Sequence, residues 1–180
     1  YRLSTGGQPV ATIMLKAAER KQVQGVDSLI LTASVTDASG GPFAAGDNIR
    51  AVVNPETLGP RQLDIKLTGA LAAASQTVTF DEKTNTIAFN GVGRIDAPVG
   101  THSILSLAYA MRSFNLKPSK DTSNPINDTR VAVFWENRPY IFTLRPAAAD
   151  TIKVLNENVS AQMISITTGN PQLDSLNLRV

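Results

Sequence analysis

The sequence predicts a mainly β protein: a curved antiparallel meander or partly open barrel wrapped around one short helix, at about residues 103–114. Three observations predict it. Apolar and polar residues alternate with period two along several segments, turn-forming residues punctuate the chain at short intervals, and one stretch alone carries helical spacing.

Alternation is clearest over 62–68, where Leu63, Ile65 and Leu67 fall opposite Gln62, Asp64, Lys66 and Thr68. Leu29, Leu31, Ala33 and Val35 alternate with Ile30, Thr32, Ser34 and Thr36; Gln162, Ile164 and Ile166 alternate with Met163, Ser165 and Thr167. Successive side chains of a strand point to opposite faces, so this pattern makes one face apolar and the other wet, as antiparallel sheets require. Gly6-Gly7, Gly25, Gly40-Gly41-Pro42, Asn54-Pro55, Gly59-Pro60, Gly91 and Gly169-Asn170-Pro171 read as turns. Residues 81–85 read as a hairpin loop joining strands at 76–80 and 86–90, and residues 136–138 as another joining 131–135 to 140–144. The longest loop is expected at 117–128.

The helical stretch is 103–114. Ile104, Leu107, Ala108 and Met111 recur at helical spacing, with Leu105 widening the stripe. Ser103 is placed to cap it, Thr101 and His102 lie just outside, and Pro118 follows its end. About three turns of helix are not stable alone in water, so this one is expected to pack on the concave face of the sheet.

The 180 residues read as a single β-rich domain, 1–180, with 42% hydrophobic and 18% charged residues. That composition supports a sizeable core and argues against disorder. The net charge is +2 and Arg20-Lys21 is the only adjacent basic pair, which is no electrostatic footprint for nucleic acid. The absence of cysteine excludes disulfides, thiol nucleophiles, thiolate zinc sites and iron–sulfur clusters. No run approaches the roughly 20 apolar residues of a transmembrane helix. The chain opens at Tyr1 inside a strand-like pattern, so a leader or lipid anchor is expected in a precursor.

Candidate chemistry is sparse. His102 is the only histidine, and the acidic residues form no cluster to complete a metal site, so no metal or cofactor is expected. A serine triad built on His102 with Ser103 or Ser106 lacks a Gly-x-Ser-x-Gly elbow. Asp64, Asp81, Glu82, Asp96 and Glu136 are the carboxylates that a glycosidase-like pair would draw on; their setting in turns and on polar strand faces favours solvated surface. Gly91-Val92-Gly93 lacks the following helix and Lys of a phosphate loop. Phe134, Trp135, Tyr140 and Phe142 are the one aromatic concentration, with only Arg130, Arg138 and Arg145 nearby; cross-strand packing accounts for them better than base stacking. Asn127-Asp128-Thr129 and Asn158-Val159-Ser160 match a glycosylation sequon, a short motif that appears often by chance. No catalytic residue is assigned, and no enzyme activity is expected.

Two phrases carry a family resemblance. One runs from Arg50 to Arg61. The other follows Thr77-Val78-Thr79-Phe80-Asp81 and supplies Pro98, Gly100, Thr101, Leu105, Ser106, Tyr109, Ala110, Arg112, Leu116 and Pro118. The order resembles an uncharacterised family of bacterial exported proteins, a domain of unknown function with a Pro-x-Gly-Thr-x-x-x-Leu-Ser-x-x-Tyr-Ala-x-Arg helix phrase. Ser103 and Ile104 stand where an Asp-Pro pair is usual, and Ser caps a helix as Asp does. The resemblance implies a signal-bearing precursor, a periplasmic or outer-envelope location and no known activity. It also implies one or two strands beyond Val180, so an early stop is expected there. On this reading the protein is a non-enzymatic envelope domain that binds an apolar ligand, a lipid or acyl chain, or an envelope protein in a half-open β cleft. An assembly module with a filled core and an exposed edge strand is the alternative, and an unrecognised hydrolase the second.

Overall fold

The computed structural model describes residues 1–120, 123, 127–169 and 177–179. The fold is mainly β and antiparallel with one short helix, as expected, but its strands form two sheets rather than one continuous surface. The first contains β1 (Arg2–Thr5), β2 (Gln8–Val23), β3 (Val26–Ala38), β4 (Asn48–Val53), β5 (Pro60–Lys66), β6 (Gln76–Asp81), β7 (Thr86–Phe89) and β8 (Val92–Asp96), side by side in chain order. It curls into a half-barrel. The second contains β9 (His102–Ser103), β10 (Thr129–Trp135), β11 (Arg138–Val154), β12 (Glu157–Thr167) and β13 (Asn177–Arg179), with β9 at one edge and β13 at the other.

Turn chemistry sets the hairpins. Gly6-Gly7, Gln24-Gly25, Asn90-Gly91, Glu136-Asn137 and Leu155-Asn156 each have positive φ at both positions. That is the mirror-image turn whose twist matches the strands it joins. Both expected hairpin loops are present, and Arg138 already belongs to β11, paired with Trp135. The Gly169-Asn170-Pro171 turn and the 117–128 loop fall partly outside the described residues.

The helix α1 (Ile104–Ala110) is shorter than expected and tightens into a 3-10 turn over Met111–Ser113. The Ser113 hydroxyl donates to the Ala110 carbonyl at 2.7 Å, drawing in the last turn. Ser103 is the N-cap: its Oγ accepts the Ser106 N–H at 3.1 Å while Ser106 Oγ accepts the Ser103 N–H at 3.0 Å. This is a capping box with serine at both ends.

The buried helix residues are Leu105, Ser106, Leu107 and Ala110, followed by Met111; Ile104 and Ala108 are half-buried. The burial is wider than the single predicted stripe because the helix has a sheet on either side. Leu105 enters a cluster with Leu31, Ala51, Val53, Leu63, Val78, Ile87 and Phe89 of the first sheet. Leu107 and Met111 enter another with Val133, Phe142, Leu144, Ile164 and Ile166 of the second. Phe134 of β10 reaches across, its ring centroid 5.9 Å from Phe80 and 5.5 Å from Phe89. The outward face of the first sheet is not uniformly wet: Ile30 and Val52, paired across β3 and β4, are both buried.

Candidate functional site

Three connections meet at one end of the first sheet. Between β4 and β5, Asn54 Oδ1 accepts the Glu56 N–H at 2.9 Å, and Asn54 exchanges backbone bonds with Leu58 and Gly59. This forces Leu58 into the left-handed region, φ 57°. Between β6 and β7, Asp81 Oδ1 accepts the Lys83 and Thr84 N–H groups at 2.9 and 3.2 Å. After β8, Gly100 has φ 74° and Thr101 bonds back to the Pro98 carbonyl through both N–H and hydroxyl. That is a tight turn whose third residue is best served by glycine. The Ala97 N–H donates to the Asn85 carbonyl, fastening this turn to the hairpin. Together they enclose a cleft of about 390 Å³ lined by Asn54, Thr57, Glu82, Asn85, Val99 and His102. A narrower recess of about 50 Å³ continues from it over Pro60 and Phe80.

His102 closes the inner wall. Its Nδ1 lies 3.2 Å from Ser106 Oγ, and Phe114 packs edge-on at 6.4 Å. Burial lowers its pKa below 6.5, outweighing the nearby Leu58 backbone, which favours the charged form. The imidazole thus joins the capped start of α1 to the wall of the cleft. The unfolded chain takes up a proton near pH 6.5 that the fold resists, so the stabilisation held above pH 6.5 is lost as pH falls toward the lower folded pKa. Chemical unfolding of the wild type between pH 8 and 5.5 should show this decline, no steeper than about 1.4 kcal/mol per pH unit. His102→Gln should flatten it while lowering stability at pH 8.

The other candidates are placed as follows. Ser106, the only hydroxyl bonded to the histidine among the described residues, is fully buried in the capping box, so no substrate reaches it. Ser103 is equally buried. Asp64 pairs with Arg50 at 3.0 Å and accepts from Gln62 and Thr77. Asp81 caps its hairpin, and those hydrogen bonds, led by the Thr84 hydroxyl, hold its pKa below the usual carboxylate value. Glu82 faces the cleft, whereas Asp96 ends β8 and Glu136 occupies the β10–β11 turn. Phe134 and Phe142 are buried, and Arg138 stacks on Tyr140 at 4.6 Å. The Trp135 indole nitrogen is buried and has no partner among the described residues. Asn127 bonds the Asn115 and Lys117 carbonyls, while Asn158 lies exposed on β12. Among the described residues no three His, Asp or Glu side chains could share a metal ion, and no helix is long and apolar enough to cross a membrane.

A second candidate surface was not legible in the sequence. β10 pairs with β11 only as far as Leu144, opposite Thr129, and the described part of β13 pairs with Met163–Ser165 of β12. Past a bulge after Pro146, β11 and β12 continue as a two-stranded arm from Ala149 opposite Gln162 to Val154 opposite Glu157. The Gln162 amide bonds the Ala147 carbonyl across the bulge. One face of the arm carries Ile152, Val154 and Val159; at its apex Leu155 is 94% exposed with φ 48°. Leucine is a poor turn signal, which is why the sequence concealed this apex.

Comparison with protein-family models, curated proteins and solved structures gives no match.

Proposed function

We propose that this chain is a non-enzymatic binding module of the bacterial envelope, and that it docks an envelope protein through the tip of the β11–β12 arm. The observation that carries the reading is Leu155, an almost fully exposed leucine in a backbone conformation that costs an ordinary residue about 1–2 kcal/mol. The conformation closes the hairpin, as it does at Gln24, Asn90 and Glu136, but a leucine side chain left in water at that position gains nothing within the fold and fits a contact made outside it. Val154 at 43% and Val159 at 41% exposure widen the knob. Asp150 and Glu157 flank it on the same face of the arm, and Lys153 lies on the opposite one. An apolar centre inside a polar rim is the anatomy of a protein interface. A lipid surface is the poorer fit, because it would bury Glu157 directly opposite Val154. The envelope location rests on the helix-phrase resemblance. The non-enzymatic reading is supported by the enclosure of Ser106 and the structural duties of Asp64 and Asp81. A lipid in the half-open cleft has less support, since Leu105 and Phe134 pack into the concave face of the first sheet.

A photo-crosslinking residue in place of Val159, used in cells with Leu155 or with Leu155→Asn, tests the proposal. One discrete protein adduct, lost in Leu155→Asn, is expected. Leu155→Asn should also raise stability by about 1 kcal/mol in denaturant unfolding, because asparagine tolerates the turn. Adducts indifferent to residue 155 would overturn the reading. So would vesicle binding that depends on Leu155, or a lipid copurifying in native mass spectrometry.

A further inference from the structure

The cleft between the β4–β5, β6–β7 and β8–β9 connections is independent of the arm, and we infer that it is a saccharide-binding site taking a vicinal diol of a neutral sugar. The inference starts from what its walls offer. Glu82 and the Asn85 side chain make no hydrogen bond among the described residues, and neither does the Asn54 Nδ2 amino group. Thr57 Oγ1, which accepts the Gly59 N–H at 3.1 Å, adds a hydroxyl. Among the described residues no Lys or Arg lines the cleft or the recess that continues from it.

Three ligand classes divide on that inventory. An anion would meet the Glu82 carboxylate with no cation to offset it. An ammonium group would use Glu82 but leave the Asn54 and Asn85 amino donors idle. A sugar hydroxyl both donates and accepts, so adjacent hydroxyls answer a carboxylate and two carboxamides together. Val99, 82% exposed on the rim, with Pro60 and Phe80 in the recess, provides an apolar contact for the C–H face of a ring. The volume of about 390 Å³ lies in the range of small-ligand sites.

Gly59 supports a fixed position for the carboxylate. Its φ is not in the left-handed region, so glycine is not demanded by the turn; a Cβ there would lie 2.6 Å from Glu82 Oε1 and 3.2 Å from Thr57 Oγ1. The missing side chain is the space in which Glu82 sits over the β4–β5 connection.

Amide NMR titration of the full chain with cellotetraose and with maltotetraose, which carry a 2,3-diol in every unit, is the test, with putrescine and citrate as the amine and anion probes. At least one saccharide should shift the amides of Thr57, Gly59, Asn85 and Gly100 in a saturable way. Glu82→Gln, which keeps the shape, and Asn54→Asp, which keeps the turn-capping oxygen, should each weaken binding on the order of tenfold, with the rest of the spectrum unchanged. Saturation by putrescine or citrate at these amides without any saccharide response overturns the class of ligand. No response to any of the four probes, or affinity unchanged in both variants, overturns the site.

Discussion

Phe134→Ala should destabilise the protein by about 3–5 kcal/mol in urea or guanidinium unfolding, the range for emptying a buried aromatic position. The effect belongs at the upper end because of where the ring sits. Val133 and Phe134 are neighbours on β10, yet Val133 packs in the second-sheet cluster and Phe134 in the first-sheet cluster. The Phe134 ring lies edge-on to Phe80 and tilted against Phe89, so its removal takes away two aromatic contacts as well as buried area. Leu105 is the other buried residue from outside the first sheet in that cluster, and a helix of seven residues cannot move in to fill the void without abandoning its Ser103 cap. A loss below 1 kcal/mol would mean that the two sheets are not joined through this ring.

Asp47→Asn should lower the melting temperature by roughly 5–10 °C although it changes one atom. Asp47 is 1% exposed and uses both carboxylate oxygens: Oδ2 accepts the Ala44 N–H at 2.9 Å, and Oδ1 accepts the Thr68 N–H and hydroxyl, each at 2.8 Å. An asparagine would turn an NH₂ toward at least one of these donors. The Ala44 N–H bond, with the Thr68 bonds against the opposing effect of burial, lowers the Asp47 pKa from 3.8. Its contribution is therefore complete above about pH 4 and is lost as pH falls through the lower folded value. Thermal melts of both forms at pH 7 and near pH 3 should show the wild-type advantage shrinking in acid; a constant gap would show that the charge plays no part.

The period-two runs placed β3, β5 and β12 because a half-wet strand writes its burial directly into its sequence, and the Ser103 cap was visible for the same local reason. The division into two sheets was not. It depends on β10 being buried on both faces and on a short parallel pairing of His102 with Val133 and Ser103 with Phe134, partners too far apart in the chain for a local pattern to show. Ala108 stood in the predicted stripe while Ala110 is the more deeply buried, since a second sheet on the far side widens what the helix covers. At the cleft, His102 and Glu82 were legible as residues worth testing. Asn54, Thr57 and Asn85 were not, because three separate connections bring them together only in the folded chain. Asp47 was hidden for another reason: an aspartate before a strand looks like solvated surface, and only its three donors, supplied from two loops, mark it as structural.

The strand order of the first sheet bears on how the molecule comes into being. Each of its eight strands bonds the one just before or after it, so every pairing closes a short stretch of chain. The β9–β10 contact joins His102 to Val133 across the whole helix and the connection after it, a longer loop with a larger entropic penalty. Low contact order favours rapid assembly. The half-barrel can thus complete itself while later residues are still emerging, leaving the docking of β10 beside α1 as the slow closing step. Slowed refolding in a chain altered at Val133, with little change for one altered at the Gln24-Gly25 turn, would record that order of events.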